Sequence, residues 1–359
     1  MTEVLQFSNI GIADGIATML VNIYAKIDRK SIRFNFLVMD NCDLNHSLKS
    51  QIEFFGGKIF IVPYYKRNFN EFYKSVKKIF EINHFDILHC HQSLVSIPVL
   101  FLGRKTEIKK NITHSHNPTL GCFWKNIIVY ISHFFFNKFS DILLACSKQS
   151  GVFLFGRKSN FEWIPNPVDI ERFKFDSKKR KFIREGLGLK NDDILLVNVG
   201  RYCRQKNQDF LLNLLPQVLK TNKRIHILFL SDSEKLLKKV NKHKLVENIH
   251  LVVGKRNVED YLSASDVYVC PSLFEGLSLS LLEAQCNGIP CIFSEKIVKQ
   301  TFVNKNITTL PLKEQAWINE LSKLDIQIYD ERLHNQESIK NSSFNPQNIA
   351  KTFEALYLQ

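Results

Sequence analysis

The sequence predicts an α/β protein made of two doubly wound domains, and three observations support this prediction. Short runs of β-forming apolar residues alternate with stretches of helical apolar spacing along most of the chain. Repeated strand and helix units of this kind form parallel sheets covered by helices on both faces. The 359 residues exceed what one hydrophobic core usually holds, and the composition, 45% hydrophobic and 23% charged, is that of a globular protein. Disordered and collagen-like classes are therefore excluded.

The first half of the chain begins with a predicted strand at 4–7, which enters a turn flanked by Gly11 and Gly15. A helix with apolar spacing follows at 16–24. Further β-forming runs alternate with helical stretches, of which the helix at 69–82 is the most regular. The further strands of this half are predicted at 34–39, 58–62, 86–90, 111–114 and 141–145.

The second half begins with a charged stretch at 176–193, which is predicted to be a linker and the entry to the second domain. Residues 268–294 are typical of a strand, a tight loop, a helix and a second strand. Ligands of parallel sheets bind where a strand ends and its loop enters the next helix, which here is the loop 271–276. The other predicted elements are strands at 194–200, 224–230 and 248–253 and a helix at 345–358.

The loop at 271–276 has the chemistry of an anion site. Free amides of a first helical turn at Gly276, Leu277 and Ser278 would favour a phosphate there. If the chain is helical from Glu275 to Glu283, the two carboxylates lie about 12 Å apart, which is the reach from the hexose to the ribose of a nucleotide-sugar. Carboxylates bind hydroxyls rather than phosphates. The alternative is that one glutamate complements the helix dipole and the other is solvated.

The segment EGLSLSLLEA resembles the E-x7-E signature of retaining GT-B glycosyltransferases of the family 4 type, also called group 1. The resemblance implies two Rossmann-like domains facing a cleft. Residues 1–175 would form the acceptor-binding domain and 176–343 the nucleotide-sugar-binding domain. The helix at 344–359 would cross back to the first domain. The resemblance implies that Glu275 contacts the donor sugar and that Glu283 contacts the ribose. It also implies that the amides of Gly276, Leu277 and Ser278 bind the diphosphate.

The loop GRYCRQKNQDF is similar to the family's diphosphate clamp through its pattern G-R-x4-K-N. Arg201 and Lys206 would then neutralise the leaving group, whereas composition alone favours two solvated loop cations. The family's glycine-rich loop usually has two adjacent glycines, whereas this sequence has Asp14 before Gly15. The resemblance places Gly15 near the donor phosphates. The pair Lys255-Arg256 is expected beside the nucleotide base.

Two H-x-H pairs follow predicted strands, His89 with His91 and His114 with His116. The segment HSHN resembles the family's strand-end histidine, so His116 is assigned with Glu275 as a catalytic residue. The alternatives are hydrogen-bonded loop histidines or a metal cluster, and no metal site is predicted because H-x-H lacks a third ligand placed by spacing.

Other motifs near the expected nucleotide site are less regular. Asp232 and Glu234 follow a predicted strand, which is where a GT-A transferase, a competing fold, has its metal-binding acids. The GT-B family has a glycine-rich turn at this position, and this sequence lacks it. Pro167 stands where the family more often has glycine, and proline fixes φ. No cofactor is expected besides the nucleoside diphosphate sugar as co-substrate.

The formal net charge of +14 indicates an anionic partner. The excess is spread over both halves and no nucleic-acid-binding motif accompanies it, so nucleic acid is not expected. The apolar run at 123–139 is interrupted by polar residues and is predicted to be a helix against a core or an anionic membrane surface, not a membrane span. No signal peptide and no C-x-x-C motif is found. The expected location is cytoplasmic, peripheral at the inner face of the plasma membrane.

The resemblance implies a metal-independent retaining transferase. It would move a hexose or N-acetylhexosamine from a nucleoside diphosphate sugar, expected to be a UDP-sugar, to a lipid-linked glycan in capsule, exopolysaccharide or O-antigen synthesis. One alternative is a nucleotide-sugar epimerase of similar fold, and another is a binding protein without activity.

Overall fold

The structure is a computed structural model that describes residues 1–10, 15–41, 44–116, 123–231, 233–242, 246–254, 257–275, 277–325 and 330–359. Its contacts divide the chain into two compact units. The first unit is Met1–Pro167 with Pro346–Gln359, and the second is Val168–Asn345. Each contains one parallel sheet with helices on its faces, so the predicted α/β fold class is confirmed.

The boundary between the units lies eight residues before the predicted one at 175/176. The amide of Val168 donates to the carbonyl of Phe344 at 3.1 Å, and the side chain of Phe173 is buried in the core of the second unit. Residues 168–175 therefore belong to the second unit. The C-terminal helix (Pro346–Leu358) belongs to the first unit, where Tyr357 is buried and its hydroxyl accepts a hydrogen bond from Gln6.

The first unit, as far as it is described, contains a seven-stranded parallel sheet. Its strands are β1 (Thr2–Phe7), β2 (Ile32–Met39), β3 (Ile59–Val62), β4 (Ile87–Cys90), β5 (Lys110–Ser115), β6 (Ile142–Ala145) and β7 (Glu162–Trp163). The strand order is β3-β2-β1-β4-β5-β6-β7, which is the Rossmann arrangement. The order reverses between β1 and β4. Loops leaving these two strands turn to opposite faces and leave a crevice at the carboxyl edge.

Helices cover both faces of this sheet because successive strand residues point to opposite sides. Val4 belongs to one buried cluster and Leu5 to the other. Helix formation follows the apolar spacing: Phe72, Val76 and Phe80 are buried on one face of the third helix. The helices before the C-terminal one are α1 (Gly15–Tyr24), α2 (His46–Phe54), α3 (Phe69–Ile82), α4 (Ser96–Gly103), α5 (Phe123–Phe139) and α6 (Lys148–Phe155).

The second unit contains a six-stranded parallel sheet in its described part. Its strands are β8 (Ile194–Val199), β9 (Ile225–Leu230), β10 (Ile249–Val252), β11 (Val267–Cys270), β12 (Cys291–Ser294) and β13 (Ile307–Leu310). Their order is β10-β9-β8-β11-β12-β13, so the reversal falls between β8 and β11. The helices are α7 (Ser177–Gly186), α8 (Gln208–Thr221), α9 (Glu234–Asn241), α10 (Val258–Ala264), α11 (Leu279–Cys286), α12 (Glu314–Ser322) and α13 (Asp330–Lys340).

Within the residues described, every helix is too short or too polar to cross a lipid bilayer.

The charged stretch at 176–193, predicted to be a linker, is largely the helix α7, and this prediction was wrong. Arg180 and Arg184 lie one turn apart and share a buried face. Their guanidinium groups donate to the carboxylate of Asp266 at 2.6 and 2.9 Å. Arg180 also donates to the carbonyl of Ala264, the last residue of α10, at 2.7 Å. The charges that suggested a linker are therefore part of the interior.

We expect Asp266→Asn to destabilise the second unit by about 3 to 5 kcal/mol, because it leaves two buried guanidinium groups without their anion. The carboxylate also accepts the amide of Leu195 at 2.7 Å, which fixes the start of β8. Urea unfolding followed by circular dichroism measures the loss. The matched control is Asp325→Asn, whose carboxylate is 77% exposed and pairs with Arg224, and it should cost less than about 1 kcal/mol. If both variants lose the same free energy of unfolding, Asp266 is not the anion of a buried ion pair that stabilises the second unit.

Candidate active site

The carboxyl ends of β8 and β11 bring two loops together at the strand-order reversal of the second unit. The strands are hydrogen-bonded neighbours, with Val267 opposite Leu196. The loop after β8 covers 200–207 and contains the predicted diphosphate cations. The loop after β11 begins at Pro271 and leads to α11. Segments about 70 residues apart in sequence therefore form one site.

Lys206 and Glu275 form an ion pair between these loops. The Nζ of Lys206 lies 2.8 Å from Oε1 of Glu275, and the two side chains are only 15% and 6% exposed. The same carboxylate oxygen accepts the hydroxyl of Ser272 at 2.9 Å. Lys206 also donates to Oγ of Ser278 at 3.5 Å. An ammonium has three donors. One of them therefore has no partner among the described residues and is able to bind an added anion.

Further hydrogen bonds join the two loops. The side chain of Asn207 donates to the carbonyl of Pro271 at 3.1 Å. The amide of Leu273 donates to the carbonyl of Gln205 at 2.9 Å, and the side chain of Gln205 donates to the carbonyl of Phe274 at 3.1 Å. The sequence analysis missed Gln205, Asn207 and Ser272 as site residues. Gln205 and Asn207 flank Lys206, so their position in the clamp motif was the available signal.

Backbone conformation fixes the path of Lys206. Gly200 has φ +149°, a value that side-chain-bearing residues rarely adopt. A Cβ there would lie 2.9 Å from Cε of Lys206, so glycine leaves the space that the lysine stem occupies. Asn207 has φ +55° at the start of α8, in the left-handed region that asparagine tolerates better than most residues.

Arg201 follows Gly200 at the edge of the same loop. Its side chain is exposed, and its main-chain carbonyl accepts the side chain of Gln208 at 3.1 Å. Across the described ranges no carboxylate forms an ion pair with it, in contrast to Lys206. A solvated guanidinium of this kind is available to bind phosphate.

The start of α11 differs from the prediction. The helix begins at Leu279 with Ser278 as its N-cap, so Leu277 and Ser278 precede the first helical turn. Glu275 instead forms an isolated parallel bridge with Ile297. The chain from Glu275 to Glu283 is therefore not helical throughout, so the condition on which their predicted separation depended is not met.

Glu283 lies on α11, as predicted, with a partly buried side chain. Burial raises the pKa of its carboxyl to about 7, the carboxylate of Glu259 adds to the rise, and the guanidinium of Arg172 opposes it. Arg172 pairs with Glu259 at 3.0 Å. Lys206 also opposes the rise in the pKa of Glu283, which places Glu283 within electrostatic range of the ion pair.

His116 lies in the first unit, directly after β5. Its Nδ1 contacts Oδ1 of Asn166 at 3.0 Å, and its Nε2 contacts Nδ1 of His91 at 2.9 Å. Nε2 of His91 in turn contacts Oε1 of Gln6 at 2.9 Å. Burial lowers the pKa of His116 to about 4, and the bond to Asn166 opposes this shift. Both ring nitrogens of His116 are thus engaged within its own unit.

Gly15 is the first residue of α1 and is exposed. Glu234, the second acid of the possible GT-A motif, is the first residue of α9. The remaining predicted positions, Asp14, Asp232, Lys255, Arg256 and Gly276, lie outside the described residues.

Comparison with protein families identifies the second unit. Residues 179–341 match the family model described as glycosyl transferases group 1, a span that includes Arg201, Lys206, Glu275 and Glu283. The second unit thus matches the group 1 glycosyltransferases over most of its length.

Two relatives extend the comparison. This glycosyltransferase is 27% identical over 329 residues to the glycosyltransferase EpsF of Bacillus subtilis, covering 86% of this chain and 84% of EpsF. It is 28% identical over 207 residues to the Escherichia coli UDP-Gal:alpha-D-GlcNAc-diphosphoundecaprenol alpha-1,3-galactosyltransferase, covering 54% of this chain and 52% of that enzyme.

A solved structure shows the same fold. HepE of Anabaena, crystallised with UDP and glucose, superposes with a TM-score of 0.75 at 14% identity, and all of each chain is covered. At this identity the likeness concerns the fold alone. It confirms that the glycosyltransferase has the GT-B fold predicted from its sequence.

The pKa of Glu283 predicts a pH-dependent stability difference. A carboxyl whose folded pKa lies above its ordinary value of 4.5 destabilises the fold once it ionises, so the penalty is absent below pH 4.5 and complete above about pH 7. Glu283→Gln should therefore raise the free energy of unfolding by up to about 3 kcal/mol at pH 8 and by almost nothing at pH 4.5. Urea unfolding of both proteins across this range measures the difference. A difference that does not change with pH would contradict the raised pKa.

Proposed function

We propose that this glycosyltransferase transfers a hexose or an N-acetylhexosamine from a nucleoside diphosphate sugar, most simply a UDP-sugar, to a lipid-linked glycan. The transfer retains the anomeric configuration and serves surface polysaccharide synthesis in the cytoplasm, at the inner face of the plasma membrane. The observation that carries this proposal is the paired Lys206 and Glu275 at the strand-order reversal, with Arg201 exposed beside them.

The donor chemistry follows from the charges of the loops. Lys206 and Arg201 would neutralise the diphosphate as it leaves, which stabilises charge that develops in the transition state. Glu275, held by Lys206 and Ser272, is positioned to accept hydroxyls of the donor sugar. Glu283 would accept a ribose hydroxyl. His116 and Gly15, in the first unit, and Lys255 and Arg256 keep their predicted roles as part of the proposal.

The choice of donor and acceptor is supported by named relatives. HepE was crystallised with UDP and glucose, and the Escherichia coli relative is named for UDP-galactose as donor and a diphosphoundecaprenol-linked sugar as acceptor. The family match favours transfer over the epimerase alternative, which would keep the fold but change the reaction.

The proposal is tested by incubating the purified protein with UDP-, GDP- and dTDP-sugars, lipid-linked acceptors and EDTA. We expect transfer from one class of donor. NMR of the product should show the same anomeric configuration as the donor sugar. The rate should not fall in EDTA, because cations of the protein replace the metal. An inverted product would overturn retention. Inactivation by EDTA that Mn2+ reverses would overturn metal independence and favour Asp232 and Glu234 as ligands.

Replacing the loop cations should reduce kcat. Removal of one preorganised charge contact typically costs about 3 kcal/mol, so Arg201→Ala and Lys206→Ala should each lower kcat by about a hundredfold. Glu275→Gln should do the same if the carboxylate orients the reacting sugar. Glu283→Gln should raise KM with little change in kcat, because a ribose contact is made equally in ground and transition states.

Two controls accompany these kinetic measurements. Lys206→Ala leaves the buried carboxylate of Glu275 unpaired, so the double variant Lys206→Ala/Glu275→Gln separates that cost from lost catalysis. Arg224→Ala removes a partly exposed cation at the start of β9 and should leave kcat within twofold. Folded variants at Arg201, Lys206 and Glu275 that lose only a few-fold in kcat would refute the site assignment.

We also propose that α5 docks on an anionic membrane. Val129 and Phe136 are buried in the core, whereas other apolar side chains of the helix are exposed. Lys138 lies over the ring of Phe134 at 5.6 Å, and the whole chain carries a net charge of +14. Exposed aromatic residues beside lysines are typical of helices that lie in the membrane interface. The exposed apolar residues are Ile128, Tyr130, Ile131, Phe134 and Phe135.

Co-sedimentation with phosphatidylglycerol vesicles at low salt tests this docking. Ile131→Ser/Phe134→Ser should weaken binding by at least about tenfold, because each side chain is 64% exposed and would insert its apolar area. The control Phe54→Ser/Ile82→Ser removes side chains that are 85% and 69% exposed on α2 and α3, and should bind as the unmodified protein does. Binding should also fall with added salt. Equal binding by all three proteins would refute a role for α5.

A further inference from the structure

Four histidines meet inside the first unit, where β4 and β5 end side by side. Residues two apart on a strand face the same side of a sheet. His89 and His91 at the end of one strand therefore face His114 and His116 at the end of the next, with ring-centroid distances of 5.2 to 5.8 Å across the strands and 4.2 Å within each pair. Ligand nitrogens of His89, His91 and His114 all lie within 4.8 Å of one another, and the three side chains are at most 4% exposed. The fold supplies the third ligand that the H-x-H spacing lacks.

Two of these imidazoles present buried nitrogens that need a partner. Nε2 of His114 faces the carbonyl of Ile164 at 3.3 Å, so the proton resides there and Nδ1 carries a lone pair. Nδ1 of His89 contacts the hydroxyl of Tyr357 at 2.7 Å. Nδ1 of His114 and Nε2 of His89 have no hydrogen-bond partner in the described part of the chain. A buried polar atom without a partner often marks an ion or water.

The other two imidazoles add a second mismatch. Oδ1 of Asn166 is an acceptor and fixes the proton of His116 on Nδ1, and Oε1 of Gln6 fixes that of His91 on Nε2. Nε2 of His116 and Nδ1 of His91 then face each other at 2.9 Å as two lone pairs. Such a contact is repulsive unless a positive charge lies beside it.

We propose that His89, His91 and His114 bind a divalent transition-metal ion of the Zn2+ or Co2+ type. Imidazole nitrogens suit these ions, whereas Mg2+ and Mn2+ prefer oxygen ligands. Zn–N bonds near 2.0 Å place tetrahedral ligand nitrogens about 3.3 Å apart, so ligand nitrogens that lie within 4.8 Å of one another need to approach by up to about 1.5 Å. The metal-binding tautomer of His89 carries its proton on Nδ1, where it is donated to the hydroxyl oxygen of Tyr357, and leaves the lone pair on Nε2. The ion accepts this lone pair and that of Nδ1 of His114, and the lone pair of His91 turns from His116 to the ion.

The site would be structural rather than part of the transfer reaction. Phe353 of the C-terminal helix packs on His89 and His114 at 5.5 and 6.2 Å, and Tyr357 contacts His89, so a bound ion would join β4 and β5 beneath that helix. The inference goes beyond the proposed function and does not depend on it. The proposed histidine site also differs from a metal site at the donor diphosphate, where oxygen atoms would be the ligands.

Metal loading of tag-free protein tests the site. Protein produced with Zn2+ or Co2+ and freed of excess metal by gel filtration should retain about one ion per chain, measured by mass spectrometry of the metal. The Co2+ form should show visible ligand-field absorption. Loaded protein should melt roughly 4 °C above protein freed of metal. His114→Gln should reduce retained metal at least tenfold. The control His133→Gln, on α5 and bonded to the carbonyl of Phe153, should retain it.

The opposite results would overturn the inference. If loaded unmodified protein retains no metal and its melting temperature does not move, the site does not bind metal. The same conclusion follows if folded His114→Gln retains a full equivalent. Nitrogen NMR of the imidazoles that finds a proton on Nδ1 of His91 in loaded protein would show instead that the Gln6 amide is reversed and that His91 donates to His116. If His114→Gln does not fold, the amount of metal retained by the unmodified protein and the Co2+ spectrum of that protein decide whether the site binds metal.

Discussion

The reversal of strand order between β8 and β11 is the constraint on which the candidate site depends. Helices that connect parallel strands cross on opposite faces to either side of this point, so the loops leaving the two strands diverge and their polar groups remain accessible. The loop at 200–207 contributes cations and the loop that begins at Pro271 contributes a carboxylate. The buried Asp266 fixes both strands at their amino ends, since it directly precedes β11 and accepts the amide of Leu195 in β8.

A largely buried ion pair between Lys206 and Glu275 is a weak source of stability, because desolvation of two charges offsets most of their attraction. Its value in this fold is positional. The ion pair and the other loop-to-loop hydrogen bonds hold the lysine stem against Gly200 and leave an ammonium donor over the carboxyl edge of the sheet. A diphosphate bound there, as proposed, would add a second anion to Lys206 without breaking the pair, so the cation would need no rearrangement to receive the leaving group.

The sequence predicted most strands of the two sheets because buried parallel strands are continuous apolar runs. It predicted α3 with the bounds Phe69–Ile82 because three core residues repeat at helical spacing. It failed at α7, where a charged stretch is buried by a partner, Asp266, that lies about 80 residues further on. It failed again at Leu277, where helical spacing continues through residues that precede the helix. Motif spacing predicted Lys206 and Glu275 as site residues, but their mutual contact is a tertiary fact that no local pattern contains.

The surroundings of His116 limit what its side chain does in the reaction. One ring nitrogen contacts Asn166 and the other contacts His91, so a substrate hydrogen bond to the imidazole requires one of these contacts to break. The main-chain carbonyl of His116 already accepts the thiol of Cys146 at 3.3 Å, yet a carbonyl oxygen has a second lone pair. A metal ion that draws His91 away would release Nε2 of His116 as an acceptor. An ion bound by the histidine cluster would therefore change the hydrogen bonding of His116 through the contact between His91 and His116, without itself taking part in the transfer reaction.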